Sequence, residues 1–79
     1  MPKVFVQGPY KFFFYNNEGN EPMHVHVKSG SSTAKFWIRP VELAYGEGFR
    51  RHELNEIRRI VEARVEEIRN KWNEHFSNS

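Results

Sequence analysis

The spacing of the apolar residues changes once along this chain, close to Pro40, and that change decides what it can fold into. After it, Leu54, Ile57, Val61, Val65, Ile68, Trp72 and Phe76 follow one another at intervals of 3, 4, 4, 3, 4 and 4, with Ile60 beside the stripe. That is the apolar face of one amphipathic helix of about six turns starting near Arg50. Arg58, Arg59, Glu62, Arg64, Glu66, Glu67 and Arg69 fill its other faces. Before Pro40 the pattern has the period of two that belongs to strands. No Ser, Thr, Asp or Asn stands just ahead of the helix, so its first residue is not marked.

Four strands are expected in the first half. Lys3 to Gln7 is followed by the turn pair Gly8-Pro9, and Tyr10 to Tyr15 is too rich in aromatic rings for a helix. Asn16 to Pro22 is a polar loop with strong turn chemistry. His24 to Lys28 and Thr33 to Arg39 alternate, joined by a tight connection from Ser29 to Ser32. Short connections predict that the second, third and fourth strands run as an antiparallel meander. Val41 to Ala44 reads as a helical turn, Gly46 and Gly48 bracket a loop, and the tail Ser77 to Ser79 is ragged. The expected architecture is α+β: residues 1–79 form a single domain, with a sheet half (1–40) of about four strands packed on one long C-terminal helix in the other half (41–79).

Seventy-nine residues allow one core. With no cysteine there are neither disulfides nor thiolate ligands, so the core rests on seven Phe, three Tyr and two Trp. No apolar run approaches the roughly 20 residues of a membrane span, so no membrane contact is expected. The N-terminus carries neither an apolar signal region nor a cleavage site, and the chain reads as complete and cytoplasmic. The net charge is +2, but residues 1–40 hold five basic and two acidic side chains against seven and eight in residues 41–79. The sheet half is therefore mildly basic, which permits an anionic partner without demanding one.

Alternation sorts the strand residues into two faces. Tyr10, Phe12, Phe14, Val25, Val27, Ala34, Phe36 and Ile38 form an apolar set that should meet the helix. Lys11, Phe13, Tyr15, His24, His26, Lys28, Thr33, Lys35, Trp37 and Arg39 form the opposite set, mixing cations, imidazoles and rings. One helix covers one face, so this second face should be solvated or meet a partner. Cations interleaved with rings suit nucleic acid, where phosphates meet Lys and Arg while bases stack. The alternative is that these rings pack on the termini, on the loop near Gly46 to Gly48, or on a second copy.

His24-Val25-His26 sets two imidazoles about 7 Å apart on that face. Three readings stay open. They can act as general acid and base, with Lys28, Lys35 and Arg39 supplying positive charge. They can be metal ligands, which needs at least a third; His52 and His75 lie at opposite ends of the helix, while Glu21 is near in sequence. Or they are structural, bonding across the sheet or to the loop Asn16 to Glu21. His52 and His75 read as surface residues, and no phosphate-binding glycine loop, nucleophile elbow or Cys/His finger spacing is present.

The ordered segments Tyr10 to Tyr15, Asn20 to Val27, Ala34 to Trp37, Pro40 to Ala44, Gly48-Phe49, Glu53-Leu54 and Trp72 to Glu74 together resemble the small bacterial family called domain of unknown function 4160. The resemblance covers nearly the whole chain. It implies a gene setting similar to toxin–antitoxin pairs, with a small neighbouring protein as antitoxin, and it singles out His24 to His26 and Lys35 to Trp37. Two departures accompany it: the family usually has a second proline where this chain has Met23, and an acid where it has Arg39. An acid that served a metal or oriented a histidine would be missing here.

The leading expectation is a toxin-like protein and candidate endoribonuclease working without metal or other cofactor. His24 and His26 would be acid and base, Lys35 and Arg39 would hold phosphate or developing charge, and Tyr15, Trp37, Lys11 and Lys28 would bind substrate. The expected partners are a cognate antitoxin-like small protein and RNA, with self-association into a homodimer also open. The competing classes are a non-enzymatic protein-binding module docked through the exposed rings and a nucleic-acid binder without catalysis.

Overall fold

The structure, a computed structural model, describes residues 2–76; the tail from Ser77 lies outside the described residues. Five strands form one antiparallel sheet in the order of the chain: β1 (Lys3–Gln7), β2 (Tyr10–Phe13), β3 (His24–Ser29), β4 (Ser32–Ile38) and β5 (Val41–Glu47). Two helices follow, α1 (Arg51–Ala63) and α2 (Val65–Phe76). No helix of the described residues is long and apolar enough to cross a membrane. The α+β class and the meander are as expected, and the counts are corrected to five strands and two helices.

The fifth strand replaces the expected helical turn. Glu42, Ala44 and Gly46 favour strands weakly, but pairing with β4 from Thr33↔Glu47 to Ile38↔Val41 supplies what local preference does not. Arg58 Nη1 donates to the Val41 carbonyl at 2.9 Å, tying the new strand to α1. The second strand ends at Phe13 rather than Tyr15. Beyond it the Phe14 N–H turns to the Pro2 carbonyl at 3.0 Å.

The single expected helix divides at Arg64. Its N–H is shared between the carbonyls of Ile60 and Val61, both at 3.1 Å, and its backbone leaves the helical region at φ −120°, ψ 26°. The side chain clamps onto β1 instead. The guanidinium lies 3.6 Å from the Phe5 ring centre, and Nη1 donates to Gln7 Oε1 at 3.0 Å. The apolar stripe runs through both helices, so its spacing cannot reveal the break. The start of α1 is closed by Glu53, whose carboxylate accepts the Arg50 N–H at 2.7 Å, half of a capping box with no conventional cap residue.

Every residue of the expected apolar set is buried, in one cluster with Val4, Phe5, Ile57, Val61, Ile68 and Trp72. At its edge the Tyr10 hydroxyl donates to Glu56 Oε1 at 2.7 Å. This bond to the carboxylate, with burial, pushes the phenol up to about 12. Because the folded value lies above the ordinary 10.0, this stability is complete below pH 10 and is lost as pH rises through 12. Tyr10→Phe is expected to cost about 1 kcal/mol near neutrality, or about 4–8 °C in Tm for a domain this small. The gap should narrow as pH passes 10. Thermal melts of both proteins across that range check it, and a gap that stays constant would exclude the bond as its source.

Candidate functional site

The residues between β2 and β3 fold back over the outer face of the sheet and bring Glu18 to the histidines. Glu18 Oε1 lies 2.8 Å from Nε2 of His24 and 2.8 Å from Nε2 of His26. Across the sheet, His26 sits between Phe13 on β2 and Lys35 on β4, with Tyr45 beyond on β5; His24 pairs with Trp37 and then Glu42. Because β2 stops at Phe13, His24 has no β2 partner, and the Trp72 ring from α2 approaches to 5.0 Å on that side. The expectation of an open histidine face is thereby corrected: His24 is 0% exposed and His26 4%, and Phe13 is buried with them. A substrate cannot touch His24 while the loop is down.

The loop is held from two sides. The Gly19 backbone lies against Phe76 so closely that a Cβ there would come within 2.6 Å of the ring. On the other side Lys35 Nζ donates to Glu21 Oε1 at 2.8 Å while lying 4.4 Å from the Trp37 ring centre. Glu21, the acid nearest the histidines in sequence, reaches His24 Nδ1 only at 3.8 Å. Glu18 takes the central place.

Burial raises the Glu18 carboxyl, but the hydrogen bonds with His24 and His26 outweigh it and hold the group below its ordinary 4.5. Burial depresses His26 below 6.5, and the Glu18 bond opposes this without cancelling it. At neutral pH the cluster therefore holds a carboxylate and an uncharged His26, whose Nε2–H donates to Glu18. The other nitrogen of His24 is also engaged: Nδ1–H donates to the Pro22 carbonyl at 2.9 Å. These tautomers follow from the partners' donor and acceptor capacities.

The other expected site residues divide into two groups. Tyr15 (42% exposed) stands edge-on to His26 at 4.5 Å, and Tyr45 (48% exposed) is the matching ring on β5. The Tyr45 phenol is raised by burial first and by Tyr15 next, which places the two tyrosines within electrostatic reach. Lys35 and Trp37 are half-buried in the same region. Lys11 and Lys28 face each other on β2 and β3, exposed and one step along the sheet from His26. Arg39 is exposed in the turn after β4, on the rim of a groove of about 510 Å³ that also involves Met23, Trp37, Glu42 and Trp72. His52 and His75 are exposed on α1 and α2, as expected. The structure thus gathers Tyr15, His24, His26, Lys35 and Trp37, and leaves Arg39, Lys11 and Lys28 at the margins.

A family model described as Domain of unknown function (DUF4160) matches residues 10–73. The chain belongs to this family. No curated protein and no solved structure matches it. The family match runs from β2 into α2, so it contains Glu18, both histidines and the residues that enclose them. Met23 and Arg39 both line the groove and lie outside the Glu18 cluster. The carboxylate that meets both histidines is that of Glu18.

Glu18 and Tyr45 are the functional candidates that strand alternation misses. Tyr45 sits on the strand read as turn and loop. Glu18 and Glu21 are the two acids of the first forty residues, and both precede the histidine strand. That placement is the signal available for Glu18.

Proposed function

We propose that this protein is the toxin-like member of a bacterial toxin–antitoxin pair and that it acts on RNA from the outer face of its sheet. The observation that carries the reading is the convergence of Glu18, His24 and His26 beside Lys35, beneath the exposed rings of Tyr15 and Tyr45. Moving a phosphodiester needs groups that handle protons and a positive charge against the transition state. A carboxylate, an uncharged imidazole and an ammonium are gathered here within one loop and two neighbouring strands. His24, fully enclosed, acts as a positioning residue. His26 and Lys35 are the groups a scissile phosphate reaches once the loop lifts, with Glu18 carried on the loop that closes back over it. Tyr15 and Tyr45 offer stacking surface, Trp37 having one face occupied by Lys35. Lys11 and Lys28, like charges opposite each other, are relieved by a bound phosphate.

The test is induction in a bacterial host, beside cleavage of total RNA by purified protein. Wild type should arrest growth and cut RNA, and His26→Asn at matched soluble level should lose at least about 100-fold of the cleavage. Harmless expression together with intact RNA would end this reading.

The enclosure of His24 favours a second reading, in which the histidines only hold the loop and the exposed tyrosines dock a cognate small protein. It predicts a tight complex with no turnover, and Tyr15→Ala/Tyr45→Ala would break it.

A further inference from the structure

The geometry points to a transition-metal site formed by Glu18 Oε1, His24 Nε2 and His26 Nε2, taking a divalent first-row ion such as Zn²⁺. The three atoms lie within 4.8 Å of one another, and the residues are buried or half-buried. This goes beyond the RNA reading, since the ion would sit in the cluster whatever the substrate. It also replaces the expectation of a metal-free centre.

The argument turns on His24. Its Nδ1 faces the Pro22 carbonyl at 2.9 Å, and a carbonyl only accepts, so Nδ1 carries the hydrogen. In an uncharged imidazole Nε2 then presents its lone pair. That lone pair points at Glu18 Oε1, a second acceptor, 2.8 Å away. Two lone pairs do not approach that closely with nothing positive between them. Either His24 carries both hydrogens, a charged ring enclosed at 0% exposure between two tryptophans, or a cation shares the lone pairs. His26 aims its Nε2 at the same oxygen, so a cation there would receive three donors from one side once the His26 hydrogen shifts from Nε2 to Nδ1.

The surroundings match what metal sites require. A ligating histidine almost always donates its second N–H to a carbonyl or carboxylate, and the bond to Pro22 is such a contact. Bonds of about 2.0–2.1 Å to nitrogen and oxygen set neighbouring ligand atoms about 3.3 Å apart in a tetrahedral shell. The 2.8 Å separations need only a small outward movement. Lys35 faces the cluster from β4, but Glu21 pairs with it at 2.8 Å, so the carboxylate of Glu18 is left to attract the ion. Two imidazoles and one carboxylate favour zinc, iron, cobalt or nickel over magnesium or calcium, which prefer all-oxygen shells. Three protein ligands on one side leave further positions open, the arrangement of a working site rather than a sealed structural one. Tyr15 stands edge-on to the His26 ring, 4.5 Å away.

Zn²⁺, Co²⁺ and Mg²⁺ titrated separately into the purified full chain test this by calorimetry, with the visible absorption of Co²⁺ as a second readout. One Zn²⁺ per chain should bind, with micromolar affinity or tighter. Mg²⁺ should give no heat, and Glu18→Gln should weaken Zn²⁺ at least about tenfold. Imidazole nitrogen NMR on the wild type needs no variant: adding Zn²⁺ should shift Nε2 of His24 and His26 while Nδ1 of His24 keeps its hydrogen. Absence of stoichiometric binding, or an affinity unchanged in both Glu18→Gln and His26→Asn, would overturn the site. So would a His24 ring that carries hydrogen on both nitrogens before and after Zn²⁺. RNA cleavage that survives full chelation, with no zinc bound, would remove the metal and leave the RNA reading. Zinc binding without cleavage would do the reverse.

Discussion

Trp72→Ala is expected to bring the fold to the edge of unfolding and to dismantle the histidine cluster with it. Trp72 is buried, with its ring 4.3 Å from that of Phe76, 5.3 Å from Phe14 and 5.0 Å from His24. Removing so large a side chain costs about 3–5 kcal/mol, the lost burial plus the cavity left behind. A domain of this length holds about 4–12 kcal/mol in total. Few other positions join the core to the site so directly, because the truncation of β2 leaves His24 walled by α2 rather than by a neighbouring strand. Urea unfolding of wild type and variant measures the loss. Val6→Ala, at an exposed position on β1, should stay within about 0.5 kcal/mol as a control. A Trp72→Ala loss under 1 kcal/mol would mean that α2 does not anchor this end of the sheet.

Trp72 also shows where the sequence is readable and where it is not. Its place on the apolar stripe is plain from spacing alone, as is the burial of Phe12, Val25, Val27, Phe36 and Ile38, because strand and helix periods are local properties of the chain. Its contact with His24 is not, because it depends on where β2 happens to stop. The histidine pair itself was legible, since alternation correctly puts His24, His26, Lys35 and Trp37 on one side of the sheet. Their enclosure was not legible. The cover is the polar loop Asn16 to Pro22, whose composition promises only a turn, and whose path is set by distant contacts: Gly19 against Phe76, Glu21 against Lys35, Glu18 against both imidazoles. The break at Arg64 escaped for a related reason, since the guanidinium bonds to Gln7 and covers Phe5, 57 positions and more away along the chain.

Glu18→Ala should cost about 2–3 kcal/mol of stability, a large effect for a residue in a loop. The His26 hydrogen bond to the carboxylate, worth about 1.5–3 kcal/mol, and the 2.8 Å contact with His24 hold the imidazoles in place. Without them, His24 and His26 keep polar nitrogens in a space shut off from water by Tyr15, Trp37 and Trp72. Water entering as the loop loosens recovers part of the loss, which keeps the figure below the full sum. Glu18→Gln separates hydrogen bonding from charge. The amide oxygen can accept from His26, but it cannot neutralise a cation or a charged His24, so the stability loss should fall to about 1 kcal/mol. Amide hydrogen exchange gives the local view. In Glu18→Ala, protection should fall first at Glu21, whose N–H bonds to the Glu18 carbonyl at 3.1 Å, and at the start of β3, while β4 stays protected to the global limit. If both variants are as stable as wild type and exchange is unchanged, the carboxylate does not hold the loop, and the histidines owe their enclosure to the packing of Trp37 and Trp72 alone.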